Sequence, residues 1–219
     1  MLFPWLVSAA DAALRLASPP RCAACDTPLA ADGLLCDGCS PGEPCILDRL
    51  PDGTTVVATA RYDGAIAEVI RRFKYETRPD AGRWLGERIA AALRQAAPFE
   101  PTLLVPVPLH PKRLAERGYN QSALLAASAA RALGCPSRPL ALARVRDTAQ
   151  QASLSRDRRL DNLTNAFVAR GSLQGARVVL VDDVVTTGAT AHACVSALVE
   201  AGAVVVAVAA VARAGRAPP

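Results

Sequence analysis

Residues 178–190 read VVLVDDVVTTGAT, and this stretch decides the fold. Four apolar residues lead into Asp182 and Asp183, and a short run of threonine and glycine follows. A wholly apolar strand is typical of a parallel sheet that is covered by helices on both faces. A turn is predicted over residues 184–188, with a helix starting at Thr187 or Gly188. Because neighbouring carboxylates repel each other, we expect a positively charged or hydroxyl-rich ligand beside them.

Strands and helices alternate on both sides of this stretch. The predicted strands are 54–62, 102–109, 139–145, 178–181 and 204–212, and the predicted helices are 64–75, 80–97, 113–134 and 187–202. A polar, arginine-rich interval, RDTAQQASLSRDRRLDN at 146–162, separates two of them and is interpreted as a functional loop or a disordered insert. The alternation predicts a doubly wound α/β fold with a mostly parallel sheet.

Charge and composition restrict the function only mildly. The chain has 219 residues and a net charge of +5, which is compatible with a phosphorylated small molecule, a nucleic acid or an ordinary enzyme. The apolar N-terminus has no basic residue before Arg15 and is interrupted by Asp11, so it does not match a signal peptide. We interpret residues 1–19 as an amphipathic helix that docks on the body, with an interfacial membrane helix as the less favoured alternative. The predicted location is cytoplasmic.

Four cysteines near the N-terminus form a C-x2-C-x10-C-x2-C pattern. Two such pairs can converge on one tetrahedral Zn²⁺ ion, so the pattern predicts a structural zinc site in a zinc-ribbon-like module at residues 20–46. Two disulfides are the alternative, which a cytoplasmic location disfavours. Cys45 is close enough in sequence to replace one ligand, but packing is the simpler interpretation. The predicted ligands are Cys22, Cys25, Cys36 and Cys39.

The residues after the apolar strand indicate a phosphate site beside a diol site. The first N–H groups of a helix and its dipole favour an anion, and Gly188 allows close approach of the backbone. Carboxylates accept hydrogen bonds from vicinal hydroxyls such as those of a ribose, which places Asp182 and Asp183 one step from the phosphate. Together these predict a 5-phosphoribosyl ligand, against the alternative of an acidic turn that merely caps a helix. The predicted phosphate-binding residues are Thr186, Thr187, Gly188, Ala189 and Thr190.

A second cluster is basic. VPVPLHPKRLAERGYNQ, residues 105–121, places Lys112, Arg113 and Arg117 where a strand turns into a helix. Such donors suit a pyrophosphate, although a solvated basic helix start is the plainer alternative. His110 is a candidate proton donor, but a single histidine there is more often structural. Lys74 either reaches the site or covers apolar surface with its stem.

These motifs together resemble those of the ComF (GntX-like) family. VVLVDDVVTTGAT by itself resembles the motif with which type I phosphoribosyltransferases bind 5-phosphoribosyl 1-pyrophosphate (PRPP). The narrower resemblance adds YDGAIAEVIRRFKYE at 62–76, RGYNQ at 117–121 where RGFNQ is common, TAQQASLSRDRRLDNLTNAF at 148–167 and the four cysteines. It covers nearly the whole chain. It implies a phosphoribosyltransferase-type fold and an association with DNA uptake in natural competence.

The resemblance also implies a mechanism and an arrangement of domains. Mg²⁺ would bridge pyrophosphate and ribose oxygens while the site stabilises a cationic C1. A loop carrying Arg156, Arg158 and Arg159, with Gln150 and Ser155, would close over the ligand. The phosphoribosyltransferase-like domain is placed at 54–219, with a hood-like segment at 54–98 for an unknown acceptor and a core at 99–219.

A binding protein without catalysis is the rival interpretation. The scaffold would then bind PRPP or a nucleotide as a signal, or act as an accessory that contacts single-stranded DNA or the competence machinery. The basic patches favour this rival slightly. The aromatic share of 4% counts against it, because single-strand binders stack bases on aromatic rings.

Overall fold

The computed structural model describes residues 20–30, 33–42, 45–75, 81–96, 99–146 and 166–215. The predicted N-terminal helix at 1–19 lies outside these residues. The described part contains β1 (Ile46–Arg49), β2 (Thr55–Arg61), α1 (Gly64–Tyr75), α2 (Ala81–Gln95), β3 (Leu103–Pro106), α3 (Pro111–Arg117), α4 (Gln121–Leu133), β4 (Leu142–Arg144), β5 (Phe167–Ala169), β6 (Arg177–Val185), α5 (Ala189–Glu200) and β7 (Val204–Arg213).

Five strands form the main sheet in the order β1-β2-β7-β6-β3. The pairs β2–β7, β7–β6 and β6–β3 are parallel, and β1 adds an antiparallel edge beside β2. The predicted doubly wound, mostly parallel α/β fold is therefore confirmed. The central strands read as continuous apolar runs because both of their faces are buried.

Two apolar clusters lie on opposite faces of this sheet. Val179 and Val181 of β6 point into the cluster that contains α1, α2 and α4, while Val178 and Leu180 point into the cluster that contains α5. This alternation follows from the two-residue period of a strand. The carboxyl end of β6 consequently emerges between two packed layers.

Close packing of α2 on α4 fixes the position of α4 beneath the sheet edge. A Cβ atom at Gly86 would lie 2.5 Å from Cβ of Ser128 and 2.7 Å from the carbonyl oxygen of Leu125. Only glycine therefore permits this separation. The Ser128 hydroxyl also donates to the carbonyl of Arg83 at 2.8 Å.

The prediction of a single helix over 113–134 is wrong, because the chain forms two helices there, α3 and α4. Gly118 adopts φ 81° and ends α3, and its N–H donates to the carbonyl of Leu114. Asn120 then caps α4 by accepting a hydrogen bond from the N–H of Ser122 at 3.0 Å. A left-handed glycine followed by an asparagine cap stops one helix and starts the next.

The strand predicted at 139–145 is shorter and lies outside the main sheet. β4 pairs with β5 in a separate two-stranded antiparallel sheet. Between α4 and β4 the chain pairs with β3 at the isolated Leu104–Ser137 bridge, and Pro136 and Pro139 flank that bridge. Proline has no N–H to donate, so the ladder cannot continue.

The connection that leads into β2, residues 46–54, contains a strand that the sequence pattern did not predict. β1 lies within it and turns tightly into β2, with Gly53 at φ 86°.

As to membranes, none of the helices in the described ranges has both the length and the apolar character required to span a bilayer.

Candidate phosphoribosyl site and cysteine cluster

Asp182 and Asp183, here called the acid pair, lie at the carboxyl end of β6. The β3 ladder ends where Pro106 pairs with Val181, whereas β7 continues to pair with β6 as far as Val185. The acid pair therefore follows the point where β3 departs, and it lies within a strand that runs four residues beyond the predicted end. Both aspartates are buried, with 9% and 4% of their surface exposed. Ligand crevices of doubly wound sheets lie outside the carboxyl ends of the strands.

Each aspartate has its own partner. The Ser122 hydroxyl of α4 donates to Oδ1 of Asp182 at 3.0 Å, and the N–H of Asp183 donates to the same oxygen at 2.8 Å. Nζ of Lys74, at the end of α1, lies 2.6 Å from Oδ2 of Asp183. The acid pair is thus contacted from both α1 and α4.

Burial and the neighbouring charges change the protonation of these groups. Burial, and then the charge of Asp183, raise the pKa of Asp182 to about 7, although the N–H of Asp183 and the Lys74 charge oppose the rise. Burial lowers the pKa of Lys74, but Asp183 and Asp182 outweigh it, so its pKa is raised overall. Lys74 is therefore a charged ammonium at neutral pH.

The turn after β6 presents backbone N–H groups next to exposed hydroxyls. We call residues 186–190 the phosphate loop. Thr186 and Thr187 are exposed, Gly188 has φ 83°, and α5 begins at Ala189, one or two residues later than predicted. Gly188 is the N-cap residue of α5 and has no side chain with which to cap the helix. The N–H of Ala189 donates a long hydrogen bond to Oγ1 of Thr187, at an N–O distance of 3.4 Å. Such a helix start can accept an anion.

Residues that the sequence analysis did not identify support the phosphate loop from below. Nη1 of Arg213, the last residue of β7, donates to the carbonyls of Val185, Thr186 and Ala214. Its Nε donates to Asp48 of β1 at 2.6 Å. The sequence did offer a signal for Arg213. It is an arginine directly after an apolar run, at the same end of the sheet as the acid pair.

The β1–β2 turn also touches the start of α5. A Cβ atom at Gly188 would lie 2.4 Å from Cδ2 of Leu50, and Nδ1 of His192 is hydrogen-bonded to Asp52. His192 thereby links α5 to this turn. Ser122 is a further residue that the sequence pattern did not indicate.

Of the predicted basic residues, Arg117 lies near Lys74, the residue that contacts Asp183. Its charge lowers the pKa of Lys74. Nη1 of Arg117 donates to Oε1 of buried Gln121 at 2.5 Å, and its guanidinium lies over the Tyr75 ring at 5.2 Å. Arg117 is thereby held beside the end of α1.

Lys112 and Arg113 lie on α3, and no contact with the acid pair is seen for either within the described ranges. His110 is the N-cap of α3, and its Nδ1 accepts weakly from the N–H of Lys112 at 3.4 Å. The loop residues Gln150, Ser155, Arg156, Arg158 and Arg159 lie outside the described residues. Their roles stay predictions.

The four predicted cysteine ligands converge. The Sγ atoms of Cys22, Cys25, Cys36 and Cys39 lie within 4.8 Å of one another, and Cys45 is not part of the cluster. Zn–S bonds of about 2.3 Å place the sulfurs of a tetrahedral site roughly 3.8 Å apart, so the thiols are already close to that spacing. All four are free thiols in this structure, which favours a metal site over the alternative of two disulfides. The cluster could hold a metal ion.

Backbone groups favour the thiolate form of Cys22, whereas the neighbouring thiols raise the pKa of Cys36 and that of Cys39. Burial opposes ionisation of Cys22, but the N–H groups of Cys36, Cys25 and Ala24 lower its pKa to about 6. The surrounding loops, residues 20–30 and 33–42, are attached to α1 because Arg72 binds both carboxylate oxygens of Asp26 at 2.6 and 2.8 Å. Ala23 and Leu34 join the apolar cluster beneath.

Comparison with known proteins agrees with this geometry. Residues 119–218 match the model of the phosphoribosyl transferase domain. The chain is 34% identical to the DNA utilization protein YhgH of Salmonella typhimurium over 84% of its own length and 80% of that protein. It is 33% identical to competence protein F of Haemophilus influenzae over 80% of its own length and 77% of that protein.

Among solved structures, similarity extends to the glutamine PRPP amidotransferase from B. subtilis complexed with ADP and GMP, at 28% identity and a TM-score of 0.43. The match covers 64% of this chain and only 30% of that one. The chain belongs to the ComF family of phosphoribosyltransferase-like proteins, as its relatives and its matched domain show.

Proposed function

We propose that this protein binds PRPP at the acid pair and the phosphate loop, and transfers or exchanges the phosphoribosyl group on an acceptor. The observation that carries the proposal is the buried acid pair at the end of β6, followed after Gly188 by a helix start without a side-chain cap. Carboxylates that accept hydrogen bonds from hydroxyls are thus followed by N–H groups that donate to an anion. A 5-phosphoribose presents its diol and its phosphate in the same order.

In this proposal each element has a separate task. Asp182 and Asp183 accept hydrogen bonds from the ribose hydroxyls, and residues 186–190 donate to the 5-phosphate. Arg117, together with Lys112 and Arg113, supplies positive charge for the pyrophosphate. The predicted loop residues Arg156, Arg158 and Arg159 would exclude water over the bound ligand. Catalysis is then mainly positioning and charge stabilisation at C1.

The carboxylates of the acid pair fit a hard divalent cation, since Mg²⁺ prefers oxygen ligands and usually binds one or two carboxylates together with phosphates. Asp182 and Asp183 would hold Mg²⁺, directly or through the ribose. The ion would supply positive charge to the departing pyrophosphate. Ser122 meanwhile orients Asp182 through its 3.0 Å hydrogen bond.

Isothermal titration of PRPP, with and without Mg²⁺, tests the proposal. We expect magnesium-dependent binding by the wild type and its loss in the Asp182→Asn/Asp183→Asn variant. A matched control is Asp63→Asn/Glu100→Gln, which removes two carboxyl groups from exposed positions. Absence of binding by folded wild-type protein, or equal loss in the control, would contradict the proposal.

A structural zinc ion at the four cysteines is the second part of the proposal. Sulfur ligands in two C-x2-C turns are typical of structural zinc. We expect one zinc per chain, and its loss in Cys22→Ser/Cys39→Ser but not in Cys135→Ser, which lies outside the cluster. Metal analysis of protein purified without added chelator measures this, and a metal-free wild type would contradict it.

A non-catalytic accessory role in the cytoplasm is the alternative, and the names of the DNA utilization and competence relatives favour it. The protein would then bind PRPP, a nucleotide or single-stranded DNA without chemistry. A salt titration of single-stranded DNA affinity separates specific from purely electrostatic contact. Weak binding with a steep salt slope would indicate only phosphate contacts and would count against this role.

A further inference from the structure

The contacts of its neighbour Phe73 fix the backbone position of Lys74. Phe73 is fully buried beside it, and its ring lies 5.9 Å from the ring of Tyr119. The Tyr119 hydroxyl also donates to the carbonyl of Phe73. The end of α1 is therefore held against the connection between α3 and α4, and the Lys74 side chain, 22% exposed, is directed at Asp183.

The ammonium group of Lys74 occupies the position beside Asp183 that a bound metal cation would need. Nζ lies 2.6 Å from Oδ2 of Asp183, whose side chain is only 6% exposed. The other oxygen, Oδ1, accepts the N–H of Val184 at 2.7 Å. Both oxygens of Asp183 are thus engaged while Lys74 stays in place.

We propose that Lys74 is the internal cation of the acid pair in the free protein, and that a divalent cation reaches Asp183 only when Lys74 is released. The proposal deepens the PRPP-binding function and rests on it. A buried carboxylate requires a compensating positive charge, and two cations cannot share one carboxylate without repulsion. The metal alone should therefore bind weakly.

PRPP changes this balance because its pyrophosphate offers the released ammonium a new anion beside Arg117. Metal and PRPP then assist each other's binding, with Lys74 as the coupling residue. Coupling of this kind is reciprocal, so each ligand raises the affinity of the other by the same factor. Lys74 is in this sense a positioning residue for the metal.

Binding of Mn²⁺, followed by electron paramagnetic resonance without PRPP at pH 8.5, tests the proposal. Removal of the competing charge in Lys74→Met should tighten Mn²⁺ binding at least about tenfold. Lys74→Arg keeps the charge and should bind Mn²⁺ as weakly as the wild type. Arg83→Met is the matched control, because it removes a positive charge at a position 79% exposed on α2.

A second measurement is the factor by which PRPP strengthens Mn²⁺ binding. We expect this factor to fall towards one in Lys74→Met and to persist in the control. Lys74→Gln provides a polar variant if Lys74→Met does not fold, which thermal unfolding reports. Equal Mn²⁺ affinity in wild type and folded neutral variants would overturn the proposal.

The two proposals fail in different ways. If wild type binds PRPP but neither neutral variant gains Mn²⁺ affinity, Lys74 is not the internal cation and the PRPP site stands. If the neutral variants gain Mn²⁺ affinity while wild type binds no PRPP, the internal cation is supported and the PRPP function is refuted.

Discussion

Asp182 is a carboxyl group at the threshold of ionisation near neutral pH. Burial and the adjacent charge of Asp183 raise its pKa from 3.8 to about 7. Ser122 and the N–H of Asp183 donate to it, and they offset only part of the cost of burying the charge. When this carboxyl group is charged, its burial therefore lowers the stability of the folded protein.

The pH dependence of stability should reveal this cost. A folded-state pKa above the unfolded one means that the folded protein binds more protons between about pH 4 and 7, so stability falls as pH rises through that window. Asp182→Asn should therefore match wild type near pH 4 and be more stable by about 2–4 kcal/mol at pH 8. Urea unfolding at both pH values measures it, and a difference that does not change with pH would contradict the assignment.

Asp52 provides a control of opposite sign. Burial raises the pKa of Asp52, but hydrogen bonds from His192 and Thr54 outweigh it, so its pKa is lowered. Its contribution to stability is present above the unfolded pKa and is lost as pH falls. Asp52→Asn should thus destabilise the protein at pH 7, where Asp182→Asn does not.

At the scale of elements, the β1–β2 turn and the start of α5 form one packed unit around Gly188. We expect Gly188→Ala to reduce stability by about 2–4 kcal/mol, because it adds a clash to the strain of a left-handed backbone. The added Cβ would lie 2.4 Å from Cδ2 of Leu50. Phosphate and PRPP affinity should fall with it.

Gly53 is the matched control for this substitution. It has φ 86° but no heavy atom within 4 Å of an added Cβ, so Gly53→Ala should cost only about 1 kcal/mol. In a double-mutant cycle, Leu50→Ala should relieve part of the Gly188→Ala loss. Equal losses at both glycines, measured by denaturant unfolding, would show that the Leu50 contact is unimportant.

Local patterns predicted most of these elements and the location of the acid pair. The strands at 178–181 and 204–212 could be predicted because a strand that is buried on both faces is apolar throughout. The break between α3 and α4 was missed, because the left-handed backbone of Gly118 and the capping hydrogen bond of Asn120 are not visible in the apolar pattern of 113–134. Arg213 and Asp48 could not be paired from sequence, because 165 residues separate them and only the sheet order joins them.

At the scale of the whole molecule, two apolar clusters share one sheet and should unfold together. Leu85 of α2 and Leu198 of α5 are fully buried on opposite faces. Leu85→Ala and Leu198→Ala should each lower the free energy of unfolding by about 2–5 kcal/mol. The effects should add within roughly 0.5 kcal/mol, since residues without shared partners are independent.

Circular dichroism and fluorescence should follow the same transition in every variant, recorded in zinc-loaded protein in which Trp5→Phe leaves Trp84 as the one tryptophan of the sequence. Trp84 packs against the first cluster, so its fluorescence reports one face of the sheet. The exposed Val199→Ala, at the neighbouring position on α5, serves as the control and should have little effect. Two separate transitions would show that the faces are not one cooperative unit.

The central place of β7 has a consequence for the newly made chain. The Thr59 hydroxyl of β2 bonds to the carbonyl of Val211 in β7 at 2.8 Å, across 152 residues. β2 and β6 leave the ribosome before the strand that joins them, and each then exposes an unpaired edge. The nascent protein can therefore aggregate through these strand edges until β7, the central strand of the sheet, has been synthesised. Chaperones that cover such edges should govern its yield.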